Sequence, residues 1–236
     1  MYVLPDSISD VRRVEIHRNG VTLSCIEGGS GDTVVLLHGL AGSSEEMSAT
    51  AEALLPVQHV IAVDQRGHGR STRRPLDLSR RAYVDDVVAV IEELAAGGPV
   101  TLVGQSMGGH TAMLAAAWHP RLVHRLVLVE AGVGGEGPED YPTEIGDWFA
   151  SWPVPFPDVR TATEFLGSSP IARSWVHDLE ERADGLWPRF DPDVMRAAIA
   201  AVADEARWEE WQKVRAPTLL VRGQKGAMYY RPRSWA

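Results

Sequence analysis

Two stretches of alternating apolar and polar residues, Val11 to His17 and Val21 to Ile26, flank Asn19-Gly20 and predict a β-hairpin with a two-residue turn. The pattern then changes. Thr33 to Leu37, Val60 to Val63, Val100 to Val103 and Leu126 to Val129 are short, continuous apolar runs, as expected of strands buried on both faces. Helical spacing fills the gaps between them. Ser43 to Leu55 reads as a helix with Ser43 or Ser44 as its cap. Ser79 caps a second, in which Tyr83, Val84, Val87, Val88, Ile91 and Leu94 keep the three-and-four spacing of an amphipathic helix up to the Gly97-Gly98 stop. A third, of small residues, runs from about Met107 to Trp118 and ends before Pro120. Strand and helix thus alternate from Thr33 to Val129, which predicts an α/β fold: a mostly parallel sheet with helices on both faces.

From about Ala131 to Lys213 the alternation stops. This stretch holds six of the eight tryptophans (Trp148, Trp152, Trp175, Trp187, Trp208 and Trp211) and many prolines, and reads as an inserted helical cap. Pro217 to Val221 is one more buried strand. The expected organisation is therefore a core over residues 1–130, a helical cap over 131–213, and a core strand with an irregular tail over 214–236.

Composition narrows the function classes. The chain has 236 residues, enough for one domain with a large core, and is 44% hydrophobic and 23% charged. A net charge of -9 argues against nucleic acid or an anionic membrane as partner, because both repel an acidic protein. A single cysteine, Cys25, excludes an intrachain disulfide and suits a reducing cytoplasm. Met1 to Asp10 lacks the basic start and apolar core of a signal peptide, and no run approaches a membrane span. The expected partner is a small molecule.

Gly104-Gln105-Ser106-Met107-Gly108 carries the chemistry. A serine between a strand and a helix can sit on a turn so sharp that its hydroxyl projects above the sheet. Glycines two residues to either side let strand and helix pass closely, and the helix N-terminus offers free N–H groups to an oxyanion. The strand Val100 to Val103 and the helix from Met107 supply the context that the motif requires. Ser106 is therefore the expected nucleophile. His38-Gly39-Leu40 follows the Thr33 strand, and Asp64-Gln65-Arg66-Gly67-His68-Gly69-Arg70-Ser71 follows the Val60 strand.

These motifs, in this order after successive strands, resemble the α/β-hydrolase superfamily, and most of all its capped esterase, lactonase and carbon–carbon-bond hydrolase branch. The resemblance implies that the backbone N–H groups of Leu40 and Met107 form the oxyanion hole, and that the arginine loop with Asp64, Arg66 and His68 is scaffold. It places the acid of the triad after a strand beside the cap. Nothing acidic follows Val221, so Glu130, at the end of the Leu126 strand, is the candidate. The family's catalytic histidine lies near the C-terminus after a further strand, but the last of the eight histidines here is His177, inside the cap. His38, His110 and His177 are poor substitutes: His110 lies one turn beyond Ser106 and should point along the helix. The segment Tyr229 to Ala236 shows neither strand nor helix pattern, so a last strand and helix are expected to be missing, as in a truncated or frame-shifted product. Reading the coding DNA past Met228 in the other frames tests this.

Trp148, Trp152 and Phe156 are the expected pocket lining, and imply a small apolar or aromatic acyl or lactone substrate. No metal or organic cofactor is implied. Ser106 argues against epoxide hydrolases and haloalkane dehalogenases, which carry aspartate at the same turn. The expected function is a serine hydrolase of a small carboxylic ester or lactone. The alternatives are a non-catalytic hydrolase-like protein, and a carbon–carbon-bond hydrolase, haloperoxidase-like enzyme or peptidase of the same fold.

Overall fold

The computed structural model describes residues 11–135 and 137–223. Residues 1–10 and 224–236, on which the signal-peptide and missing-strand expectations fall, lie outside the described residues.

Strands β1 (Arg12–Arg18) and β2 (Val21–Gly29) form the expected hairpin. Asn19 and Gly20 both take positive φ, 45° and 76°, as a two-residue turn matched to the strand twist requires. Then come β3 (Thr33–Leu37), α1 (Ser48–Leu54), β4 (His59–Asp64), α2 (Arg80–Leu94), β5 (Val100–Gln105), α3 (Met107–Trp118) and β6 (Val123–Val129). A 3-10 turn, Ser44–Met47, precedes α1; Ser43 caps it by accepting from the Glu45 N–H. Ser79 caps α2 through the Ala82 N–H.

The seven-stranded sheet has the order β1-β2-β4-β3-β5-β6-β9, the last strand being β9 (Thr218–Val221). It is antiparallel through β1, β2 and β4 and parallel beyond. One apolar layer, with Leu23, Cys25, Val35, Leu102 and Met113, lies under α2 and α3; a smaller one, with Leu36, Met47, Ala51 and Leu55, lies under α1. Cys25 is fully buried and unpaired, and burial pushes its thiol up to about 12, so it packs as a small hydrophobe.

Between β6 and β9 run α4 (Tyr141–Ala150), α5 (Val159–Leu166), α6 (Pro170–His177), a short hairpin of β7 (Glu180–Arg182) and β8 (Gly185–Trp187), α7 (Pro192–Ala203) and α8 (Trp208–Lys213). The first four helices share an apolar cluster of their own. The arginine loop after β4 ties that unit to the core: Arg73 donates to the carbonyls of Pro188 and Phe190, and Arg70 and Arg74 pair with Asp178 and Asp191. Helix α8 does not share the cluster. Its half-buried Trp211 packs against the sheet-side core instead. Among the described residues no helix is long and apolar enough to cross a membrane.

Candidate active site

The C-terminal ends of β3, β5 and β6 lie side by side, and each ends in a residue or loop of the proposed site. Ser106 follows β5 with φ 48° and ψ -116°, a backbone that a residue with a Cβ seldom adopts, and its N–H is held by the Val129 carbonyl at 2.9 Å. The crowding around it explains the flanking glycines. A Cβ on Gly104 would lie 2.3 Å from the Gly108 carbonyl oxygen, and one on Gly108 would lie 2.4 Å from the carbonyl oxygens of both Leu37 and His38. The turn is sharp because strand, helix and the neighbouring strand's end all touch there.

Gln105 pairs with Val129 across β5 and β6, so Ser106 and Glu130 are the next residues on adjacent strands. Glu130 also has positive φ, 48°, and donates its N–H to the Val221 carbonyl at 2.9 Å. Its carboxylate accepts the Gly223 N–H, just beyond β9. No local pattern marks Gly223, since only the β6–β9 register brings the two together.

The third strand contributes a turn. Gly42 N–H reaches the Gly39 carbonyl at 3.2 Å, and Leu40 and Ala41 occupy the bend, Ala41 at φ 60°. Neither the Leu40 N–H nor the Met107 N–H has an acceptor among the described residues, and the second opens helix α3. The turn is fixed from below. Gly39 N–H donates to Glu46 Oε1 at 3.0 Å, and a Cβ on Gly42 would lie 2.0 Å from Glu46 Oε2. Burial raises the Glu46 carboxyl to about 7 against the lowering effect of that N–H. Glu46 carried no signal in the sequence beyond an acidic first turn.

Each histidine can now be placed. Buried His38 donates from Nδ1 to its neighbour's carbonyl at 2.6 Å and accepts the Gln65 N–H on Nε2 at 3.0 Å, so both nitrogens are used in joining the two loops. His68 donates to the Arg66 carbonyl, and burial lowers it to about 3. Exposed His177 pairs with Glu45. Buried His110 lines the same cavity as Ser106. All eight histidines are among the described residues, and none hydrogen-bonds to Ser106.

The cavity beside Ser106 has a volume of about 120 Å³ and opens to solvent, with Met107, His110, Tyr141, Ile199 and Val202 in its wall. The expected lining is not there. Trp148, Trp152 and Phe156 lie in the cap's own cluster: Trp148 meets Trp152 edge-on at 5.4 Å, and Phe156 is fully buried 6.2 Å from Trp152. Rings so large are better buried against one another than left along a cleft. Asp64 and Arg66 serve as scaffold. Asp64 accepts the Ser44 and Arg70 N–H groups, and Arg66 makes a bidentate pair with Asp86, both bonds 2.7 Å. No group of three or more His, Cys, Asp or Glu side chains suited to a metal forms among the described residues.

Residues 32–163 match the model of the alpha/beta hydrolase fold family. The chain belongs to the α/β-hydrolase family. Over 119 residues this α/β-hydrolase is 37% identical to a 2-(acetamidomethylene)succinate hydrolase of Mesorhizobium japonicum, covering 50% of this chain and 42% of that one. Over 120 residues it is 40% identical to the sn-1-specific diacylglycerol lipase ABHD11 of Mus musculus, covering 50% and 38%. The chain thus spans about two fifths of the length of these curated relatives. It superposes on the crystal structure of E-2-(acetamidomethylene)succinate hydrolase with a TM-score of 0.78 and 25% identity, over 91% of this chain and 81% of the other.

Proposed function

We propose that this α/β-hydrolase chain carries the nucleophile and oxyanion hole of a serine hydrolase of small carboxylic esters or lactones. The observation that carries the reading is the strained Ser106 turn at a cavity wall, on a site with two N–H groups that have no acceptor among the described residues. In the proposed reaction Ser106 Oγ bonds to the carbonyl carbon as its proton passes to a base. The carbonyl π pair moves onto oxygen, where the N–H groups of Leu40 and Met107 hold it. Collapse expels the alkoxide, which takes the proton, and water then cleaves the acyl-serine in the same way. Glu130, on the adjacent strand end, is the proposed acid that orients the base. The two relatives named above are hydrolases of a substituted succinate and of diacylglycerol, and both fit a carbonyl electrophile.

One observation favours a second reading, a hydrolase-like protein that binds without catalysis: no histidine of the chain sits on Ser106. The two readings separate on whether the hydroxyl is activated. A fluorophosphonate probe, followed by intact mass, is expected to label the protein once and to leave Ser106→Ala unlabelled. No labelling of folded protein would sink the first reading and leave the second.

A further inference from the structure

Beside Ser106 lies a polar group that the proposed reaction does not use. His110 is only 2% exposed, and its ring forms part of the cavity wall. Neither ring nitrogen closes a hydrogen bond of good geometry; the Val133 carbonyl is the backbone group that acts on the ring. The charged groups around the ring are cationic. Arg80 is buried, with its guanidinium over the Tyr83 ring and a bond to Thr111, the residue after His110; Arg207 adds its charge from beyond Val133, to whose carbonyl it donates its N–H. Burial first, and then these two cations, lower His110 to about 3, so the imidazole is neutral at any ordinary pH. That value also makes it too weak a base to take the Ser106 proton efficiently.

A neutral imidazole has one N–H and one lone pair. Neither nitrogen is bonded, so we assign the N–H to the side of the Val133 carbonyl, the backbone acceptor that acts on the ring. The lone pair is then left in a wall otherwise formed largely by Met107, Ala131, Ile199, Val202 and Ala203, with the Tyr141 phenol beside it and exposed Glu144 at the rim. Buried acceptors seldom go unmatched in native proteins unless a ligand or water supplies the donor.

We infer that the cavity takes a substrate bearing a hydrogen-bond donor, a hydroxyl or an amide N–H, near its carbonyl, and that His110 accepts that donor. The inference deepens the serine-hydrolase reading by naming a substrate class, and its test is independent of turnover. Ser106→Ala protein is titrated with methyl lactate, methyl N-acetylglycinate and methyl isobutyrate, which present an O–H, an N–H and no donor. The imidazole nitrogens are followed by long-range proton–nitrogen NMR. Either donor-bearing ester is expected to bind at least tenfold tighter than the isobutyrate and to shift the lone-pair nitrogen of His110, and comparing the two tells O–H from N–H. His110→Phe should abolish the preference, and His110→Gln, which keeps an acceptor, should retain most of it. Equal binding of all three esters, a preference that survives in His110→Phe, or no shift at His110 at saturation would each overturn the inference; the last would leave the nitrogen to an ordered water. Because Ser106 is absent throughout, probe labelling of the native chain is decided separately.

Discussion

Glu46 sits under the turn that carries the Leu40 N–H, and its ionisation is coupled to folding. Its carboxyl is raised from 4.5 to about 7, chiefly by burial. An acid harder to ionise in the folded chain keeps its proton there longer. Its contribution is therefore complete below about pH 4.5 and is lost as pH climbs through about 7. Asp178, raised to about 6, acts in the same direction, whereas the lowered His68 and His110 act oppositely at lower pH, so total stability will not isolate Glu46. The neutral isostere does. Glu46→Gln should match the native chain at pH 4 and exceed it by up to roughly 3 kcal/mol at pH 8.5 in urea unfolding, from the size of the shift. A gap that does not change with pH would show that Glu46 is ionised throughout. Steric demand at the nucleophile turn gives a second expectation. Gly108→Ala places a Cβ against two carbonyl oxygens of the β3 end, neither of which can move without the turn that holds Leu40. It should cost at least about 3 kcal/mol, or prevent folding, as severe overpacking does; near-native stability in the same assay would contradict it. The motif made Ser106 and its glycines legible because their spacing is local. Glu46, Gly223 and the position of His110 were not, since each depends on which chain segment passes beside it.

Helix α2 and the loop after β4 are joined by one buried contact, the bidentate Arg66–Asp86 pair, to which the Asp77 carbonyl and the Tyr83 hydroxyl add hydrogen bonds. Such a pair is weak evidence of net stabilisation, but breaking it from one side leaves Asp86 buried with only the looser Arg18 contact, at 3.8 Å, to balance its charge. Arg66→Ala should therefore lower unfolding free energy by about 3–5 kcal/mol with an unchanged denaturant slope. A loss under about 1 kcal/mol would mean that water reaches Asp86 and that the loop stands without it. The elements themselves were largely readable. Strands buried on both faces must be apolar throughout, and α2 must keep one apolar stripe toward the sheet. Helix starts at Ser43 and Ser79 were readable because a side-chain cap acts within three residues. The hairpin β7–β8 was not, since Glu180-Glu181-Arg182 has no apolar alternation and is held in place by the bridge between Leu186 and Phe156. Nor could the tryptophans be assigned by counting. Trp152 and Trp211 look alike in sequence, and only the approach of α8 to the sheet lays the second, half-buried, against the sheet-side core.

At the scale of the whole molecule the sheet has one protected edge and one exposed edge. Hairpin strand β1 closes one side with Arg12, Arg13, Glu15 and Arg18, charges that discourage another chain from pairing there. The other side ends on β9, whose only strand neighbour among the described residues is β6. Leu219, Leu220 and Val221 are 58%, 54% and 44% exposed, and because successive side chains alternate, apolar surface shows on both faces of that strand. The apolar run Pro217 to Val221 predicts a buried strand. Its composition says so, but burial needs neighbours that the described chain does not place there. An exposed apolar strand with free backbone groups is a template for pairing with a second chain. Sedimentation equilibrium of the 236-residue chain should therefore show a weight-average mass that rises with concentration. Leu220→Lys should hold the mass at the monomer value. It should cost less than about 0.5 kcal/mol of stability, as expected where a side chain is already more than half exposed. If the native chain stays monomeric at every concentration, the edge is protected by something other than charge. If Leu220→Lys associates as strongly as the native chain, the contact lies elsewhere on the surface.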